Sequence, residues 1–127
     1  MTNYLLCDTC VIIDFMNGRS QILSELITDK TPLFINSIIE MELLQGARDK
    51  KELRIIESQL HSFRLLNMQQ DILDLATQNI RRYRLSHNLA LPDAIIAATA
   101  TFYQIPLFTY NLKDFRFLPD VQLSEYN

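Results

Sequence analysis

The sequence predicts an α/β fold around a mainly parallel sheet of about five strands, covered by helices on both faces. Short apolar runs suited to buried strands fall at 4–7, 33–36, 63–66, 106–109 and 121–123, and stretches with helical spacing separate them. The 127 residues include only Gly18 and Gly46 as glycines and show no linker, repeat or low-complexity tract. One compact domain over 1–127 with short connections is therefore expected. Acids also recur where the apolar runs stop, which is where parallel α/β sheets bind ligands.

The elements follow in order. The run Tyr4-Leu5-Leu6-Cys7 ends at Asp8, and Thr9-Cys10-Val11-Ile12-Ile13-Asp14-Phe15 turns helical. Ile22, Leu23, Leu26 and Ile27 mark a second helix, and Pro32 precedes the second strand, 33–36. Ser37, Ile38, Ile39 and Glu40 match a capping box opening the next helix, which carries Glu42 and Leu43 toward a turn near Gly46. A charged helix, 49–61, leads into the third strand, 63–66. Ile72, Leu75, Ala76 and Ile80 share one face of a long helix over 70–86. Pro92 suits a first helical turn, and Asp93 is favoured beside the positive helix terminus. The run from Ala94 to Tyr103 is apolar nearly all round, so it belongs in the core or partly in a subunit interface. Strands at 106–109 and 121–123 complete the pattern.

Composition narrows the partners. Twelve basic and fifteen acidic residues give a net charge of −3, which counts against a phosphate-rich partner. Four acids taken by a cation would turn that balance to +1. The basic charge is clustered in Arg81, Arg82 and Arg84, in Arg48, Lys50, Lys51 and Arg54, and in Lys113 and Arg116. These are solvated helix faces or phosphate contacts. No Lys or Arg precedes Arg19 and no apolar run approaches the roughly 18 residues of a membrane span, so a cytoplasmic protein without a membrane segment is expected.

Several chemistries lack their parts. No G-x-x-x-x-G-K-[ST] loop and no G-x-G-x-x-G follows a strand, so neither nucleoside triphosphates nor dinucleotides have a cradle. A phosphatase needing Asp-x-Asp at the first strand meets Cys10 at the second acid position. Cys7 and Cys10 have C-x-x-C spacing, but the strand around Cys7 looks buried, and Asp8 between them opposes a thiolate. Both are read as small hydrophobes. His61 and His87 have no nucleophile beside them in the pattern and are read as surface residues.

What remains is a carboxylate site of Asp8 at the end of the first strand, Glu42 a helical turn or two after the second, Asp93 opening the apolar run that begins at Ala94, and Asp114 just beyond the fourth strand. Singly, Asp8, Asp93 and Asp114 could cap helices and Glu42 could be an exposed helix residue. Together they form a hard-oxygen donor set suited to Mg²⁺ or Mn²⁺. Such a site fits metal-assisted phosphodiester hydrolysis by activated water, with no side-chain nucleophile. Glu40 is accounted for by its capping role, Asp14 is expected to point away, and Thr9 either caps the helix or orients Asp8.

Four segments resemble the signature blocks of PIN-domain proteins, in order. They are Leu6-Cys7-Asp8-Thr9-Cys10-Val11-Ile12-Ile13, Glu42-Leu43-Leu44-Gln45-Gly46, Leu91-Pro92-Asp93-Ala94-Ile95-Ile96-Ala97-Ala98-Thr99-Ala100 and Thr109-Tyr110-Asn111-Leu112-Lys113-Asp114-Phe115. The resemblance is greatest to VapC-like toxins of type II toxin–antitoxin pairs and covers essentially the whole chain. It implies a PIN-like three-layer α/β/α domain and a Mg²⁺-dependent endoribonuclease, with Mn²⁺ as a possible substitute. Asp8 and Asp93 would be the primary metal ligands, Glu42 would act directly or through the attacking water, and Asp114 would complete the rim. Thr9 and Asn111 would be supporting polar residues, and Arg81, Arg82 and Arg84 candidates for guiding the RNA backbone. A homodimer and a cognate antitoxin covering the acidic pocket are also implied. Asn36 and Ile39 stand where the family often has Ser and Thr. The alternative is a PIN-like module that binds RNA or protein without cutting.

Overall fold

The computed structural model describes residues 4–127. Four strands, β1 (Leu5–Cys7), β2 (Leu33–Ile35), β3 (Arg64–Leu65) and β4 (Leu107–Phe108), form one sheet in the order β3-β2-β1-β4. All three pairings are parallel. The helices are α1 (Thr9–Met16), α2 (Gln21–Thr28), α3 (Ser37–Gln45), α4 (Lys50–Leu60), α5 (Gln70–His87) and α6 (Leu91–Tyr103), with a short 3₁₀ turn at Leu112–Asp114. This is the expected alternation.

The chain builds outward from β1 through β2 to β3, then returns to place β4 on the other side of β1. The sheet order therefore reverses beside β1, opening a crevice at the carboxyl ends of β1 and β4. Asp8 follows β1 directly, and its N–H donates to the Phe108 carbonyl of β4 at 2.9 Å. The residues expected as a fifth strand contribute one parallel bridge, Leu107 with Leu123. Gln122 and Ser124 flank it with hydrogen bonds of 2.9 Å to the backbone of Leu107.

The core is continuous across the sheet and its helices. Leu5, Leu6 and Cys7 of β1 are fully buried, as are Leu33 and Ile35 of β2 and both residues of β4. Burial on both faces explains why these strands read as unbroken apolar runs. Helix α6 supplies a buried run from Ala94 to Ala100, packed chiefly against α5. That run is covered within the chain itself, so of its two expected locations the core is the one observed. No helix among the described residues is long and apolar enough to cross a membrane.

One helix start differs from expectation. The N-cap of α3 is Asn36, and Ser37 is already helical. Asn36 Oδ1 accepts from the Ile39 N–H at 2.9 Å, while its Nδ2 donates to Thr99 Oγ1 of α6 at 2.9 Å. The side chain is fully buried, so both halves of the carboxamide are committed. Ser37 and Glu40 form no capping box. The pattern was present in the sequence, but extended backbone at Asn36 fixes the helix start one residue earlier.

Candidate active site

Asp8 caps a helix, and its side chain also makes contacts beyond that cap. Its Oδ1 accepts from the Thr9 N–H at 2.8 Å, starting α1. Its Oδ2 accepts from Thr109 Oγ1 at 2.7 Å and faces Cys10 Sγ at 3.6 Å. Asp8 is only 5 % exposed. Its carboxylate is thus held rigidly at the switch point by one backbone amide, one hydroxyl and one thiol.

The other three acids arrive from separate elements. Glu42 projects from α3 and accepts from Thr9 Oγ1 at 2.8 Å. Asp93 lies in the first turn of α6, with Pro92 beside it. Asp114 ends the 3₁₀ turn and is exposed. Their proximity shows in the acidity of Asp93, which is pushed up to about 6, first by burial and then by the negative fields of Asp8, Asp114 and Glu42. The same three acids picked out with Asp93 in the sequence thus act on it in space. Asp14 and Glu40 do not contribute.

The donor set fits a hard divalent cation. It consists of carboxylate oxygens, and the one ion pair among the described residues, Arg48 with Glu52, lies along the groove that Glu42 also lines, with Arg48 committed to Glu52. Like charges crowded without a basic partner favour a proton or a cation among them. Among the described residues, no three His, Cys, Asp or Glu side chains stand close enough together to hold a metal ion as they are placed.

Three polar residues make the contacts around the acids. Thr9 gives its hydroxyl to Glu42 rather than to Asp8. Asn111 contributes through its backbone, its N–H donating to Thr109 Oγ1 at 3.0 Å, and its carboxamide has no partner among the described residues. The hydroxyl that orients Asp8 belongs to Thr109, the last residue of the apolar run 106–109. The signal for it was positional: Cys7 pairs with Phe108, so the next residues, Asp8 and Thr109, become neighbours. Asp14 accepts from Tyr110 Oη at 2.9 Å, tying α1 to the segment after β4.

The three arginines of α5 are exposed and in no ion pair among the described residues. Arg81 borders a surface depression with Asp71 and Asp74, Arg82 lies beside Tyr83 and Pro119, and Arg84 Nη1 donates to the Leu89 carbonyl at 3.3 Å. None contacts the four acids through a hydrogen bond or ion pair among the described residues. The basic residues that share a pocket with Asp114 are Lys113 and Arg116. Both cysteines are free thiols. Burial, followed by the charge of Asp8, pushes Cys7 up, and burial leads the upward shift of Cys10 as well. Neither environment produces a thiolate.

The PIN domain family profile matches residues 5–119. Ribonuclease VapC19 of Mycobacterium tuberculosis is 31 % identical over 121 residues, spanning 92 % of this chain and 96 % of the relative. The solved toxin–antitoxin complex from Klebsiella pneumoniae contains a chain 31 % identical, with a TM-score of 0.71 over 92 % of this chain and 94 % of that one. The fold alone is shared with a chain of the DNA-bound VapBC of Salmonella typhimurium, at 22 % identity and a TM-score of 0.82 over 95 % and 96 % of the two chains. Matched over nearly its whole length by both profile and relative, this chain belongs to the PIN domain family.

Proposed function

We propose that this chain is a Mg²⁺-dependent endoribonuclease and the toxin of a type II toxin–antitoxin pair, with Mn²⁺ able to replace Mg²⁺. The observation that carries the reading is the geometry at the sheet's switch point, where Thr9 and Thr109 fix Asp8 and Thr9 also holds Glu42. The relative named Ribonuclease VapC19 supports RNA as the substrate. A cytoplasmic site of action agrees with that substrate.

Asp8 and Asp93 would hold the cation, Glu42 would bind it directly or through water, and Asp114 would complete the rim. When bound, the cation supplies Lewis acidity to the phosphate and lowers the pKa of water. The chain's own part is positioning. Thr109 and the Thr9 amide fix Asp8, and Thr9 Oγ1 fixes Glu42, so two acids keep their orientation while substrate exchanges. Asp93, pushed up by burial and by its acidic neighbours, would be favoured further in its charged form when positive charge enters.

The solved Klebsiella pneumoniae complex supports an antitoxin as the protein partner. A groove of about 390 Å³ runs from Glu42 past Leu43, Ile13, Met16, Ile55 and Ile56, with Arg48 and Glu52 also lining it, and offers such a partner a largely apolar seat beside Glu42. The departure at Asn36 does not favour a non-cutting module, because that residue caps α3 and braces α6 while the acid set remains whole. The test is RNA cleavage in Mg²⁺ against EDTA. An Asp8→Asn protein that folds and still cuts at the wild-type rate would remove the mechanism.

A further inference from the structure

A second pocket adjoins the acids and is chemically unlike them. Helix α5 ends at His87, and Asn88 caps it in the left-handed region at φ 56°, turning the chain sharply. His87, Asn88, Lys113, Asp114, Arg116 and Phe117 help to enclose about 520 Å³. That falls within the roughly 300–1,000 Å³ of small-ligand sites. Asp114 is common to this pocket and to the field around Asp93.

The pocket is furnished for a charged aromatic ligand. The His87 ring stacks on Phe117, with centroids 4.3 Å apart and planes 15° apart, and Tyr83 packs against both rings. Ser86 Oγ lies 2.8 Å from His87 Nδ1 and fixes the ring, while Nε2 has no protein partner among the described residues. His87 itself is exposed. Lys113 and Arg116 are exposed and form no ion pair among the described residues. A flat ring platform beside two free cations matches a nucleotide, base on the rings and phosphate on the cations.

We propose that this pocket binds the nucleotide next to the cleaved phosphate of single-stranded RNA. Lys113 and Arg116 engage phosphate oxygens, and the outer face of His87, backed by Phe117, carries the base. Duplex RNA is excluded because its bases are already stacked on one another and cannot lie on a side chain. The proposal rests on the ribonuclease reading above and deepens it by naming where the substrate strand lies.

The test is binding of a fluorescein-labelled, mixed-sequence single-stranded RNA, read by anisotropy across a salt series. Asp93→Asn serves as the uncut parent, and circular dichroism confirms folding. Adding Lys113→Ala with Arg116→Ala should make the slope of log affinity against log salt shallower by about 1.4, two contacts at about 0.7 each. Adding His87→Ala instead should weaken binding about five- to fiftyfold, and His87→Phe should restore it to near the parent. An unchanged slope together with unchanged affinity of His87→Ala overturns the proposal. Equal binding of the duplex, with equal sensitivity to His87→Ala, also overturns it. If the wild type cuts RNA while the variants bind like the parent, the subsite fails and the ribonuclease stands. If it cuts no RNA but binding shows both dependences, the subsite stands without the nuclease.

Discussion

Thr109 Oγ1 donates to Asp8 Oδ2 at 2.7 Å, although 101 residues of chain separate the two. The same oxygen accepts from the Asn111 N–H at 3.0 Å, so the single hydroxyl proton is directed at the carboxylate. Asp114 lies three residues beyond Asn111, at the end of the 3₁₀ turn. One buried hydroxyl therefore links the orientation of the first acid to the backbone that delivers the fourth.

Replacing Thr109 by Val keeps the volume but removes that link. The expected result is a fall in kcat of about ten- to a hundredfold, the range found when a group orienting a metal ligand is lost. KM should change little, because Thr109 is buried away from substrate. Thr109→Ser should retain most of the rate. Steady-state cleavage of an RNA substrate, with folding checked by circular dichroism, decides it; a folded Thr109→Val protein cutting at full rate would refute the orienting role.

Asn36 gives a stability prediction distinct from activity. Asn36→Ala loses the cap on Ile39 and leaves the Thr99 hydroxyl short of one partner in the core, a cost of about 2 kcal/mol. Asn36→Ser should recover part of that cost, since Ser caps well but is too short to replace the amide reaching Thr99. Urea unfolding midpoints measure both. If alanine and wild type unfold together, the cap carries no weight.

These contrasts show what the sequence could reveal. Long, strongly patterned segments such as α5 and α6 were legible because their apolar spacing matches the helical period. Asp8 and Asp114 were legible because they follow recognisable strand ends, and Asp93 because Pro92 and an apolar run mark a helix start. Thr109 was not, because its meaning depends on β4 lying beside β1, and strand order is a tertiary fact. Asn36 was read as the end of a strand because Ser37 and Glu40 satisfied a local capping pattern that the buried bond to Thr99 overrides. The stack of His87 on Phe117 was hidden for the same reason as Thr109, since the end of α5 and the turn after β4 meet only in the folded chain.

Asp93 predicts an unusual pH dependence in metal-free protein. Its folded pKa, about 6, lies above the ordinary 3.8, so between those values the folded state binds more protons than the unfolded one. The stability tied to this group is therefore greatest at the acid side and is lost as pH rises through that window. Half-burial screens the effect to about 1 kcal/mol, or roughly 4 °C in Tm. Melting in EDTA at pH 5 and pH 7 should show a fall that Asp93→Asn reduces. Identical pH profiles for variant and wild type would contradict the crowding of acids around Asp93.

A divalent cation should reverse that penalty by replacing the proton as the positive charge among the acids. Binding to the folded state alone stabilises it by about 2.7 kcal/mol at a hundredfold excess over Kd, or roughly 10 °C in Tm. The gain from Mg²⁺ or Mn²⁺ should be larger at pH 7 than at pH 5, where the Asp93 proton competes with the ion. It should shrink in Asp93→Asn and in Asp8→Asn, each of which removes one negative charge from the group. Na⁺ at matched ionic strength should not reproduce it, because screening acts on exposed charges generally rather than on these four. Thermal melts read all of this without an RNA substrate, so the metal site can fail independently of the nuclease. A Tm indifferent to both divalent ions at pH 7 would leave the four acids without the cation their crowding calls for.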